Sequence, residues 1–299
     1  MRTENVIIIG AGPAGIATAI QLKRYGIVAL LLEKSETGGL LRNANLVENY
    51  PGFPKGISGV ELVNLFEKQL AENSVKVTYG EVTRLDFNQD LFIVKTNAKV
   101  YYSRIVVVAS GTKPKNPLDL ELPEKIKKDK VFYEVYPIRN VKGKKVVVVG
   151  AGDAAFDYAL NLGKNNEVVI LNRGKTTKCL PLLKKRVKTT SSIKYMEDIT
   201  ILRVTDVSSS EMLLECSSPG GISKINAHYL IFAIGRTPQL DFLSEKLKDN
   251  TYRRESSSAL YFVGDVKNDR YRQTTIAVGN GIMAAMKIAD SQIINPEKY

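Results

Sequence analysis

The sequence predicts an α/β fold built from two Rossmann-like units, and three observations carry that prediction. A glycine fingerprint occurs twice, as Gly10-Ala11-Gly12-Pro13-Ala14-Gly15 and as Gly150-Ala151-Gly152-Asp153-Ala154-Ala155. Each copy follows a β-branched run, Val6-Ile7-Ile8-Ile9 or Val146-Val147-Val148-Val149, fit for a parallel strand buried on both faces. Each copy then opens a helical stretch closed by a glycine and followed by a further strand: 16–25 with Gly26 and then 28–32, and 155–162 with Gly163 and then 167–171. This strand, helix, strand context is what gives a G-x-G-x-x-G match its weight.

In the first copy Gly10 permits the tight turn, Gly12 lets the backbone approach a pyrophosphate, and Gly15 lets the helix pack on its strand. The helix N-terminus offers unpaired N–H groups and a partial positive charge to the phosphates. Glu33 lies 23 residues after Gly10, where a carboxylate accepts hydrogen bonds from an adenosine ribose. Next, Ser58-x-x-Glu61 forms a capping box before an amphipathic helix with Leu62, Phe66 and Leu70 on one stripe, which is core packing. Short strands follow at 75–78, 92–96 and 104–109, ending at Ser110-Gly111-Thr112.

The second copy has Ala155 where the first has Gly15, a replacement the fingerprint tolerates. Its second strand runs into Asn172-Arg173-Gly174-Lys175, with Lys178 beyond. No acid is present there to bind free ribose hydroxyls, and a cluster of cations suits a 2′-phosphate. The expectation is therefore NADP(H) rather than NAD(H), the alternative being that these cations are simply solvated.

Composition bounds the rest. The 299 residues, 44% hydrophobic and 25% charged, suffice for two domains with their own cores. The most apolar stretches are too short and too glycine-broken to span a membrane, and no signal peptide precedes the first strand, so a cytoplasmic protein is expected. A single histidine, His228, leaves no room for a histidine metal cluster or a Ser-His-Asp triad. The two cysteines, Cys179 and Cys216, stand in no C-x-x-C spacing. A net charge of +12 reads either as a solvated basic surface or as a surface for an acidic partner. The runs at 125–130, 142–145 and 184–188 lack interleaved aromatics or a nucleic-acid motif, so no nucleic acid is expected.

Eight marks in order resemble the thioredoxin reductase family of FAD and NADPH enzymes, over almost the whole chain. They are the first fingerprint; Gly38-Gly39; Glu48-Asn49-Tyr50-Pro51-Gly52-Phe53-Pro54; Ala109-Ser110-Gly111; the second fingerprint; Ala233-Ile234-Gly235-Arg236-Thr237-Pro238; Gly264-Asp265; and Arg272-Gln273 before a helix. The resemblance implies that the second unit is inserted into the first, giving an FAD domain at 1–113 plus 228–299 and an NAD(P)H domain at 114–227. It implies that FAD is held by Gly10, Gly12, Pro13, Ala14 and Gly15, with Glu33 and Lys34 at the adenosine and Val82 at the adenine through its backbone. Gly39, Leu40 and Asn49 would flank the flavin side, with Ala109, Ser110 and Gly111, while Gly264 and Asp265 would hold the ribityl chain. Arg272, Gln273 and Thr274 would start a last helix, about 275–290, whose N-terminus stabilises negative charge at the flavin N1 edge. NADP(H) would lie on Gly150, Gly152, Asp153, Ala154, Ala155, Asn172, Arg173, Lys178 and Gly235. A homodimer is implied as well.

One departure matters. Family members carry a C-x-x-C pair about ten residues before the second fingerprint strand, and the slots found by counting back hold Tyr133 and Tyr136. Tyrosine cannot exchange thiol for disulfide, so no ordinary thioredoxin reductase activity is expected. Tyr133 and Tyr136 become the candidate residues at the electron exit, either stacking near the flavin or filling the vacated space. The leading expectation is an FAD-dependent NADPH oxidoreductase serving a small-molecule or small electron-carrier acceptor directly. Without a dithiol, one arrangement of the two domains would suffice. Alternatives are a ferredoxin–NADP reductase-like enzyme with an acidic ferredoxin, an atypical disulfide reductase, and a redox-inactive flavin-binding sensor or paralogue.

Overall fold

The computed structural model describes residues 3–117, 120–248, 259–291 and 293–294. The chain forms two α/β units, one from 1–42, 47–113 and 237–299, the other from 43–46 and 114–236.

The first unit holds a five-stranded parallel sheet. Its order is Ala259–Phe262, Ile105–Val108, Val6–Ile9, Ala29–Glu33, Val77–Tyr79. The β-branched run is central because it is apolar on both faces, as burial between two layers demands. Alternation sends Ile7 and Ile9 into a cluster with Leu85, Phe87, Phe92 and Val94. Those four belong to an antiparallel meander of Val82–Asn88, Leu91–Thr96 and Val100–Ser103, which covers that face.

Helices occupy the other face. Pro13–Arg24 packs so tightly on the last helix, Thr274–Ala289, that a Cβ on Gly281 would stand 2.2 Å from the Ala14 carbonyl oxygen. The Thr18 hydroxyl donates to the Gly281 carbonyl at 3.2 Å. In the helix Gly59–Glu72 both capping-box bonds form, and Leu62, Phe66 and Leu70 are buried as their spacing predicts.

The second unit repeats this plan. Its parallel sheet runs Val131–Phe132, Tyr229–Phe232, Lys145–Val149, Glu167–Leu171, Ile193–Met196. Val146 and Val148 face the fingerprint helix Asp153–Leu162 through Phe156 and Leu162, while Val147 faces Met212, Leu214 and Cys216 of a second antiparallel meander. The outermost strand differs in origin. It comes from chain before the fingerprint in this unit, and from chain long after it in the first.

Two sequence expectations are corrected here. The return to the first unit falls after Arg236, not at 228, because Tyr229–Phe232 pairs in parallel with Lys145–Val149 and belongs to the second sheet. The basic run 125–130 is not wholly a solvated surface: Lys130 is 3% exposed. Its ammonium donates to Asp206 Oδ1 at 2.6 Å and to the carbonyls of Ser208 and Glu211 at 2.5 and 3.0 Å, pinning the hairpin of the second meander. Among the described residues no helix is long and apolar enough to cross a membrane.

Candidate functional site

Each fingerprint is built by the same backbone bonds. In the first unit Gly10 N donates to the Leu32 carbonyl at 2.8 Å, Ala109 N to Ile9 at 2.8 Å, and Gly38 N to Ala11 at 2.7 Å. In the second, Gly150 N donates to Leu171 at 2.9 Å, Ala233 N to Val149 at 2.8 Å, and Lys178 N to Ala151 at 2.8 Å. Both leading glycines have positive φ, 107° and 154°, and a Cβ on either would meet a carbonyl oxygen, of Ala109 or Ala233, at 2.5 Å. That double constraint admits only glycine.

Gly12 and Gly152 are different. Each is the N-cap of its helix, neither has a side-chain cap, and a Cβ on either would meet nothing within 4 Å. The first-turn N–H groups therefore open onto free space, as a pyrophosphate requires. In this respect both units fit a dinucleotide.

The first unit gathers most of the residues expected around FAD. Gly39, with φ 54°, lies beside the fingerprint: its Cβ would stand 3.4 Å from Gly12 Cα. Gly39 and Leu40 open the 3-10 turn Gly39–Asn43. Gly264 abuts Ala14, with a built Cβ 2.8 Å from that methyl, and Asp265 follows it in a single turn. Asn49 Nδ2 donates to Gln273 Oε1 at 2.9 Å, joining the 48–54 motif to the N-cap of the last helix, which Thr274 begins after Arg272.

Ser110 Oγ donates to the Gln239 carbonyl at 2.7 Å and Gly111 takes φ 63°, so the loop after Ala109 turns sharply. Glu33 is 8% exposed, and its carboxylate already accepts from Ala11 N at 2.8 Å and Ser35 N at 3.1 Å. Those bonds orient it and leave lone pairs for ribose hydroxyls. Lys34 is exposed, and Val82 opens the meander. Gly38, beside Gly39, is held to glycine by the fold: φ is 99°, a Cβ would strike Val63 at 2.5 Å, and its N–H donates to the Ala11 carbonyl of the fingerprint.

In the second unit Ala155 is wholly buried and Ala154 exposed. Asp153 Oδ1 accepts from Leu180 N at 2.7 Å, so with Lys178 N on Ala151 the loop 173–180 is tied twice to the fingerprint. Arg173 and Lys178 are exposed on that loop, and Lys175 pairs with Asp198 at 3.8 Å. Asn172, 5% exposed, spends its side chain within the protein. Gly235, φ 113°, turns the chain beside Lys115.

Tyr133 packs on Phe232 with ring centroids 6.0 Å apart. Tyr136 carries the Arg139 guanidinium 3.7 Å over its ring, and its N–H donates to Asn43 Oδ1 at 3.0 Å. Between them Glu134 takes Arg236 at 3.2 Å. Cys216 is fully buried; Cys179 is partly buried, and burial pushes its thiol above the ordinary value, away from the reactive thiolate. No group of three metal-ligating side chains occurs among the described residues.

Residues 4–281 match the family model described as pyridine nucleotide-disulphide oxidoreductase. Among curated proteins the chain is 28% identical to the thioredoxin reductase of Mycoplasma genitalium, over 96% of this chain and 94% of that one. It is 26% identical to that of Bacillus subtilis, over 96% and 94%. Among solved structures it resembles the T. acidophilum thioredoxin reductase at 27% identity and TM-score 0.85, covering 98% of this chain and all of the other. The bacillithiol disulfide reductase of Staphylococcus aureus shares the fold at TM-score 0.74 and 20% identity, over 96% and 98%.

Proposed function

Because the chain belongs to the pyridine nucleotide-disulphide oxidoreductase family, we propose that it is an FAD-dependent NADPH oxidoreductase, thioredoxin reductase-like, that hands electrons directly to an acceptor other than thioredoxin. The observation that carries this reading is the pair of matching cradles, Gly10–Gly12 and Gly150–Gly152, in a chain whose dithiol slots hold Tyr133 and Tyr136.

The bound flavin and nicotinamide would supply the hydride and electron chemistry. The protein's part is to bind, orient and stabilise charge. The open N-terminus at Pro13 carries one pyrophosphate and that at Asp153 the other. Glu33, held by Ala11 and Ser35, accepts from adenosine hydroxyls, whereas Arg173 and Lys178 offer cations to a 2′-phosphate. The last helix begins behind Gln273 with no side-chain cap, so its N–H groups are free to stabilise negative charge placed before them. Against a relay through Cys179 or Cys216, burial raises the thiol of the first above its ordinary value and the second is sealed in the core.

Anaerobic NADPH should bleach the flavin band at ~450 nm, and NADH should do so less well. Persistence of the band would make the protein a flavin-binding paralogue without redox function, and turnover of thioredoxin near that of dithiol enzymes would refute a direct acceptor. The net charge of +12 favours an acidic carrier as a second reading of that acceptor, in which case turnover falls as salt rises. A homodimer is proposed with it. Ile276, Met283 and Met286 stand exposed along the last helix, where a second copy would cover them, and sedimentation measures this.

A further inference from the structure

We propose that Asn172 and Tyr195 form a positioning pair that sets the choice between NADPH and NADH by folding the loop that carries Arg173 and Lys178, without touching the nucleotide. The inference rests on reading the second unit as an NADPH site and gives that site a device not legible in its cations.

Asn172 occupies the place that Glu33 holds in the first unit, one residue past the strand residue paired with the fingerprint strand: Leu171 opposite Val149, as Leu32 is opposite Ile9. Its Oδ1 accepts from Gly174 N at 3.1 Å, the same two-residue bond that Glu33 makes with Ser35. The other half of the side chain differs. Asn172 Nδ2 donates to the Thr176 carbonyl and to the Tyr195 hydroxyl, both at 3.0 Å. Its backbone N–H goes to Met196 and its carbonyl accepts from Ile199.

Both amide hydrogens are thus spent inside the protein, and at 5% exposure Asn172 has no donor left for a ligand. Its work is to draw Gly174 and Thr176 onto one amide, closing the tight turn from which Arg173 projects. Lys178 N on Ala151 fixes the far end. Tyr195 decides which way the amide faces: its ring rests on Phe156, centroids 5.6 Å apart, and its oxygen is placed to receive a donor.

A carboxylate at 172 would set an oxygen against the Thr176 carbonyl, release the turn, and add a negative charge where a 2′-phosphate must approach. The buried amide therefore folds the loop and keeps the position neutral at once.

The test uses the FAD-loaded protein with adenosine 2′,5′-bisphosphate and 5′-AMP as probes in calorimetry, so the loop is read without turnover. Tyr195→Phe keeps the ring and removes the hydroxyl. It should weaken the bisphosphate about three- to tenfold, the worth of one lost hydrogen bond, and leave 5′-AMP unchanged. Asn172→Asp should weaken it by about tenfold or more and erase the preference for the 2′-phosphate. Equal losses for the two probes, or no loss in either variant, would overturn the pairing. A wild-type protein that holds both probes equally would instead overturn the NADPH reading beneath it.

Discussion

The two units share the order of four of their five sheet strands and a set of fingerprint hydrogen bonds, yet they differ at two positions beside the cradle. One is the third fingerprint residue. A Cβ on Gly15 would stand 1.9 Å from the Gly10 carbonyl oxygen, whereas the second unit seats Ala155 with no exposure. Its helix begins more loosely: Phe156 N reaches the Gly152 carbonyl at 3.4 Å, against 2.9 Å for Ile16 N on Gly12. That slack makes room for a methyl. The other position is the residue after the second strand, Glu33 or Asn172. The backbone cradle is thus alike in the two units, while the side chain beyond it is a carboxylate in one and an amide in the other, and the proposed difference in the adenosine each unit takes rests on that change.

The largest effect should come from forcing the first unit to imitate the second. Gly15→Ala should cost at least ~3 kcal/mol and yield protein without bound flavin, because the helix cannot retreat from Gly10 while Gly281 and Gly264 press on Ala14. The reverse change, Ala155→Gly, should cost about 1 kcal/mol, the difference in helix propensity. Melting curves and flavin absorbance compare the two, and equal sensitivity would erase the distinction.

The meanders differ as well. In the first unit Phe87 and Phe92 meet edge-to-face at 4.9 Å, while the second relies on the buried Lys130 ammonium. Lys130→Ala should therefore destabilise by about 2–3 kcal/mol, read by chemical denaturation. Arg173→Ala follows, weakening NADPH by about tenfold to a hundredfold and NADH little. Loss of both to the same degree would return Arg173 to a solvated surface. Smallest is Glu33→Gln, which gives the first unit the neutrality of the second and should weaken FAD about threefold to tenfold in titrations of apoprotein.

What the sequence disclosed was whatever depends on neighbours along the chain. The repeat, the β-branched runs and the Ser58 capping box are set by local spacing, and the structure has them where the sequence puts them; the last helix, expected at about 275–290 from the resemblance, runs Thr274–Ala289. What escaped depends on distant partners. Lys130 looks like one cation in a basic run until Asp206 reaches it from another strand. Asn172 reads only as one polar residue in a loop rich in cations until Thr176 and Tyr195 take its amide hydrogens. The chain 228–236 looks like part of the first unit until its strand is found between Val131–Phe132 and Lys145–Val149. In each case a polar or β-branched residue has two uses, and only pairing across the fold selects one.

The place where the chain enters and leaves the second unit bears on how the protein is made. Lys115 N donates to the Gly235 carbonyl at 3.0 Å, so the two ends of that insert meet. Emerging from the ribosome, residues 114–236 can fold as soon as they are complete, while Ile105–Val108 still waits for Ala259–Phe262 to finish its sheet. Once folded, the insert shortens the loop to be closed from its whole length to a single hydrogen-bonded step, and the entropic cost of joining those strands falls accordingly. The middle of the chain, once folded, thereby brings together the segments that flank it.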